Sequence, residues 1–269
     1  MQKRPNEFEL LLFSTDTSFI RSAEQAGIHG FIVDWETKDK ADRQKGYDTQ
    51  INKDTLHDLE KVRQVTGQRV ICRVNAFGEW TQDEVQSAVQ AGADEIFLPM
   101  VRTPEQVQRA LDYIKGNCDL SILVETVDAI DNARELAKLP LKRVYAGLND
   151  LSIERKISNI FVSLIDGTMD SIHSLFDCPF GFAGLTSPEL GHPIPCRLLI
   201  ADMARLQCDF TFLRRSFTRD MAGKDMTVEV PRILDALSIA RTRTQQEVQQ
   251  DKDELTQMVR KWTQAVHTG

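Results

Sequence analysis

Two acidic residues stand at the ends of short β-rich runs: Glu125 directly after Ile122-Leu123-Val124, and Asp150 three residues beyond the run that ends at Gly147. Carboxylates brought close together repel, and one of them is raised in pKa unless a cation joins them. Two hard oxygen donors, with the remaining positions left to water and substrate, suit Mg²⁺ or Mn²⁺. The same two residues could instead cap the helices that follow. Arg73 closes the run Val70-Ile71-Cys72, and its planar fork can grip a carboxylate at two points. It could equally pair with Asp34 or Glu36, which end another run. Gly147-Leu148-Asn149-Asp150 places backbone N–H groups on a turn into a helix, a geometry that cradles an anionic oxygen.

These residues need a frame that brings strand ends together. Eight β-rich runs alternate with segments of helical periodicity: 9–13, 30–34, 69–74, 95–99, 120–124, 143–147, 180–184 and 210–213. In one such helical segment Val107, Ala110, Leu111 and Ile114 recur at i, i+3, i+4 and i+7. Thr81 with Asp83 and Glu84, and Thr103-Pro104-Glu105, read as helix starts; Gly27 and Gly92 read as helix ends. Strands alternating with helices imply a parallel sheet with right-handed crossovers. Eight units within about 200 residues predict a (β/α)₈ barrel. A doubly wound sheet would favour a glycine-rich loop after the first strand, where this chain has Ser14-Thr15-Asp16-Thr17. The barrel is expected over residues 1–215. Residues 216–269 are expected as a helical extension, with Val248, Leu255, Val259, Trp262 and Val266 forming a stripe to pack on the barrel or a neighbouring subunit.

Composition narrows the class. The chain has 269 residues, 41% hydrophobic and 27% charged, which excludes general disorder. Lys plus Arg number 33 against 40 Asp plus Glu, a net charge of −7, so holding a nucleic-acid backbone by bulk charge is not expected. No apolar run reaches the roughly 20 residues of a membrane helix, and a cytoplasmic protein is expected. Five scattered cysteines without CxxC spacing argue against disulfides and a thiolate zinc site.

The strand ends also carry a resemblance. Gly30–Glu36 resembles a "D-x-E" strand, Val70–Asn75 an "R-x-N" strand, and Gly92–Val101 a "GAD" segment ending in proline. Ile122–Thr126 and Gly147–Ser152 resemble "h-x-h-E-T" (h apolar) and "G-x-x-D-L-S". In this order they resemble the HpcH/HpaI aldolase/citrate lyase family of metal-dependent barrels. The resemblance implies that Glu125 and Asp150 bind Mg²⁺ or Mn²⁺. It implies that Arg73, with the backbone of Leu148 and Asn149, holds a pyruvate- or oxaloacetate-like 2-oxo acid, and that Glu36 belongs to the catalytic group. The metal would act as a Lewis acid on the 2-oxo carbonyl while a carbon–carbon bond breaks to an enolate. A homo-oligomer, trimer or hexamer, is implied as well.

The chain departs from the family where Thr37 stands in place of a histidine after the glutamate. His192, after the seventh run, is the candidate acid–base substitute. Lys40 and Arg43 could read a large, phosphorylated or coenzyme A-bearing substrate, and Arg214-Arg215 could add anion-binding charge. A citrate lyase-like acyl-CoA lyase or thioesterase, and an inactive barrel binding a metabolite or protein partner, are the competing expectations.

Overall fold

The computed structural model describes residues 8–38 and 52–268, with side chains through residue 264. Nine strand segments are all parallel: β1 (Glu9–Phe13), β2 (Gly30–Asp34), β3 (Arg69–Arg73), β4 (Glu95–Leu98), β5 (Asp119–Val124), β6 (Val144–Ala146), β7 (Phe180–Phe182), β8 (Gly184–Leu185) and β9 (Phe210–Leu213). Their order is β7-β6-β5-β4-β3-β2-β1-β9-β8. Eight apolar runs become nine segments because β7 and β8 are halves of one run, parted at Ala183, whose φ is +55°. β7 pairs with β6 and β8 with β9, so one kinked segment closes the barrel. Gly181 permits that closure: a Cβ there would lie 2.3 Å from the Phe210 carbonyl oxygen.

The surrounding helices are α1 (Thr17–Gln25), α2 (Leu56–Val65), α3 (Thr81–Gln90), α4 (Pro104–Ile114), α5 (Val127–Asp131), α6 (Ala133–Leu136), α7 (Leu148–Glu154), α8 (Thr168–His173), α9 (Cys196–Arg205), α10 (Ser216–Asp220), α11 (Met226–Arg241) and α12 (Gln245–Thr268). Thr103 caps α4 with Pro104 following, as its sequence predicts. At α3 the cap is Trp80, not Thr81, whose hydroxyl instead accepts the Gly78 N–H at 2.8 Å. The stretch after the sixth run forms α7, a 3-10 turn at Ile160–Leu164, and α8. α11 packs against α9 and α1, in the outer ring, while α12 lies on α9 and the 3-10 turn. Leu255 and Val259 of its apolar stripe are thereby buried within this chain. Lys252 bonds the Leu164 carbonyl (2.7 Å) and Asp202 (3.0 Å), and Asn159 bonds the Val259 carbonyl (3.0 Å), tying α12 down at both levels.

Alternation along the strands divides the core. One set of side chains packs under the helices; the other, including Leu11, Ile32, Ile71, Phe97, Leu123, Tyr145, Phe210 and Phe212, fills the barrel interior. At the amino ends of the strands this interior is ionic. Arg69 contacts Glu95 (3.2 Å) and Asp119 (2.8 Å); Arg143 contacts Glu9 (2.7 Å) and Glu95 (3.0 Å). Ser121 donates to Glu95 at 2.5 Å. Among the described residues no helix is long and apolar enough to cross a membrane.

Candidate active site at the carboxyl ends of the strands

Inward positions near the carboxyl ends carry the candidate chemistry, as barrels require. Asp34 and Arg73 are cross-strand neighbours in the β2–β3 register. Asp34 receives Arg73 at two points, Nε to Oδ1 at 2.8 Å and Nη2 to Oδ2 at 2.7 Å. Glu36 Oε2 lies 3.5 Å from the same Nη2. Arg73 therefore pairs with Asp34, one of its two alternatives, and its Nη1 makes no hydrogen bond or ion pair among the described residues. Asp34 is itself braced, by Asn52 Nδ2 at 3.0 Å and by its own N–H donating to Asp54 at 2.9 Å. Burial and the nearby Asp34 charge push the Asp54 carboxyl upward despite that bond.

Glu125 is buried one residue beyond β5. Its Oε1 accepts the Met100 N–H at 2.9 Å. Met100 has φ +52°, an unusual backbone for a side chain of this size, and it turns that N–H toward the carboxylate. Desolvation, then the charges of Asp150 and Glu36, push Glu125 up to about 8; the Met100 bond and Arg73 pull the other way. Gly147 lets this carboxylate fit beneath the turn into α7, since a Cβ there would sit 2.2 Å from Glu125 Oε2. Asp150 lies in the first turn of α7, as do Leu148 and Asn149, whose N–H groups fall outside the helical ladder.

The floor of this layer is aromatic. The Arg73 guanidinium lies over Phe13 (4.8 Å), Phe13 meets Phe212 edge-on (5.3 Å), and Phe212 stacks on Tyr145 (3.8 Å, 16°). The Tyr145 hydroxyl donates to the Ala183 carbonyl at the kink of the seventh run. Burial, reinforced by Glu125, pushes this phenol upward, so it stays protonated. Sequence reasoning missed Tyr145; alternation along β6 from Gly147 places it inward and could have found it.

The structure thus brings Asp34, Glu36, Arg73, Glu125 and Asp150 into one charged layer. The His192 ring packs edge-on against Trp262 of α12 at 5.3 Å. Arg214 continues inward alternation from Phe212 and is held by two bonds to the Gly184 carbonyl, 3.2 and 3.1 Å. Lys40 and Arg43 lie outside the described residues. Among the described residues no group of three or more His, Cys, Asp or Glu is gathered as a metal site. Two buried carboxylates still match a hard divalent cation, and the raised Glu125 carboxyl is a donor that such a cation would keep ionised.

The sequence model of the HpcH/HpaI aldolase/citrate lyase family matches residues 10–160, more than half of the chain, and the chain belongs to that family. Its activity class is that of a lyase or aldolase. Among curated proteins no sequence matches significantly. Solved structures share the fold. The citrate synthase SbnG has a TM-score of 0.59 at 15% identity, covering 81% of this chain and 91% of its own. RipC from Yersinia pestis has 0.58 at 13%, covering 90% and 98%. A tryptophan synthase from M. tuberculosis has 0.58 at 13%, covering 88% and 93%.

Proposed function

We propose that this member of the HpcH/HpaI aldolase/citrate lyase family is a divalent metal-dependent carbon–carbon lyase acting on a 2-oxo acid. The observation that carries the reading is the pairing of Glu125 with Asp150 beside an arginine whose orientation is fixed by Asp34. Glu125 and Asp150 would hold Mg²⁺ or Mn²⁺, which supplies Lewis acidity toward the 2-oxo carbonyl. Arg73 Nη1 binds the substrate carboxylate and the developing enolate oxygen, a charge-assisted contact that strengthens as the negative charge grows. The first-turn N–H groups of Leu148 and Asn149 hold the carboxylate end. Phe13, Phe212 and Tyr145 exclude water from below, which strengthens each polar contact. Glu36 takes the proton of the hydroxyl on the carbon that leaves as a carbonyl; the carbon–carbon bond breaks, its electron pair passes into the enolate, and protonation at carbon completes the 2-oxo acid.

Deuterium exchange into the methyl group of pyruvate, followed by NMR with Mg²⁺ or Mn²⁺, tests this without knowing the second product. Metal-dependent exchange that disappears in Arg73→Ala is expected. No exchange while the metal binds contradicts it and turns attention to acyl-CoA esters, which Lys40 and Arg43 would then read.

A further inference from the structure

Asn75, two residues beyond Arg73, is buried, and each hydrogen-bonding atom of its side chain has a defined partner. Its Oδ1 accepts the N–H groups of Thr37 (2.8 Å) and Lys38 (2.7 Å), the two residues that follow Glu36. Its Nδ2 donates to Glu84 Oε1 at 2.7 Å, and its own N–H donates to Glu84 Oε2 at 3.0 Å. Glu84 sits in the first turn of α3, so the four bonds tie the chain after β2 to the helix after β3. They leave Asn75 a single amide orientation, since only the oxygen can serve the two N–H groups and only the nitrogen the carboxylate. Glu36 meets Arg73 at the start of this clamp.

We propose that Asn75 and Glu84 are positioning residues of the active site: they fix the backbone of Thr37 and Lys38 and so hold Glu36 against Arg73. This rests on the reading of Glu36 and Arg73 given above, and it adds to it two side chains that touch no reacting atom. The arrangement is chemically reversible. When Asn75→Asp and Glu84→Gln are combined, the new amide at position 84 donates through its nitrogen and accepts the backbone N–H of position 75 through its oxygen. The new carboxylate at position 75 still accepts from Thr37 and Lys38. All four bonds are kept with the carboxylate moved to the other side.

The test compares wild type, Asn75→Asp, Glu84→Gln and the double variant. It reads amide hydrogen exchange at Thr37 and Lys38, and the kcat and KM of Mg²⁺-dependent pyruvate exchange. In Asn75→Asp two carboxylates face each other; protection at 37 and 38 falls, and kcat drops by about 10–100-fold, the range for partners that orient direct ligands, with KM within about threefold. Glu84→Gln leaves Nδ2 without its charged acceptor and moves the same way. The double variant recovers protection and comes within about threefold of wild-type kcat, a coupling that a merely structural role would not show in kcat alone. Lost protection with unchanged kcat overturns the proposal, as does recovered protection without recovered kcat. Absence of exchange in wild type overturns the reading of the site itself, and this inference with it.

Discussion

Both ends of this barrel bury charge, but they arrange it differently. At the amino end Arg69 and Arg143 enter among Glu9, Glu95 and Asp119, and the wholly buried Glu95 has two arginines and a serine hydroxyl at contact distance. Burial pushes the Glu95 carboxyl up, and those three partners pull it back. At the carboxyl end the arginine pairs with Asp34, and the charges of Asp150 and Glu36 add to the effect of burial on Glu125, which Arg73 and the Met100 N–H only partly offset. The first layer is a salt-bridge network that sets each carboxylate against an arginine; the second carries a carboxylate raised by its neighbours, and on the proposed function a divalent cation would offset that charge.

The sharpest way to break this comparison is to make one chemical change at both ends. Glu125→Gln removes a proposed metal donor. Outer-shell partners alone cost roughly 10–100-fold, so metal-dependent turnover is expected to fall by more than about 10²-fold. Without metal and above about pH 8, where the wild-type Glu125 is ionised, the thermal midpoint is expected to stay level or rise, because a repelling charge is gone. Glu95→Gln should do the reverse. It leaves buried Arg143 underpaired and costs roughly 3 kcal/mol in chemical denaturation, with kcat of the folded protein unchanged. Equal stability losses at the two ends would dissolve the distinction.

The metal-free protein offers a pH version. Glu125 is raised from 4.5 to about 8, so the native state binds the proton more tightly than the unfolded chain. Stability from this group is therefore full below 4.5 and lost as pH rises toward about 8. Unfolding melts over that window should show the loss, and saturating Mg²⁺ should abolish it. Gly147→Ala brings a methyl against the same carboxylate. It should cost about 1–3 kcal/mol by overpacking and weaken Mg²⁺ in calorimetric titration. His192→Ala should be the mildest: an exposed ring on Trp262 predicts a change within about 0.5 kcal/mol and turnover within about twofold of wild type.

The strand ends are legible in the sequence because an apolar run followed by a charged residue is a local signal. Asp34, Arg73 and Glu125 can be placed from it, and the two-point grip of Asp34 on Arg73 is one of the two alternatives it leaves open. The ionic layer below escapes such a reading, because Arg69, Glu95 and Arg143 look like the polar starts of strands until closure aims them at one another. So does the division at Ala183, where an ordinary residue takes a left-handed backbone. The Asn75–Glu84 clamp is equally hidden, since it joins a strand end to a helix nine positions on. The helix at 226–241, expected in a C-terminal extension, packs against α1 and α9, contacts that periodicity does not specify. Those features depend on long-range geometry, which periodicity does not encode.

The central claim is that the carboxyl-end layer works only with a divalent cation on Glu125 and Asp150. Pyruvate methyl exchange in deuterium oxide, measured by NMR for wild type and Glu125→Gln with Mn²⁺ and after chelation, tests it most directly. The account predicts exchange in metal-loaded wild type alone. Exchange that survives chelation, or that Glu125→Gln sustains at the wild-type rate, would contradict it.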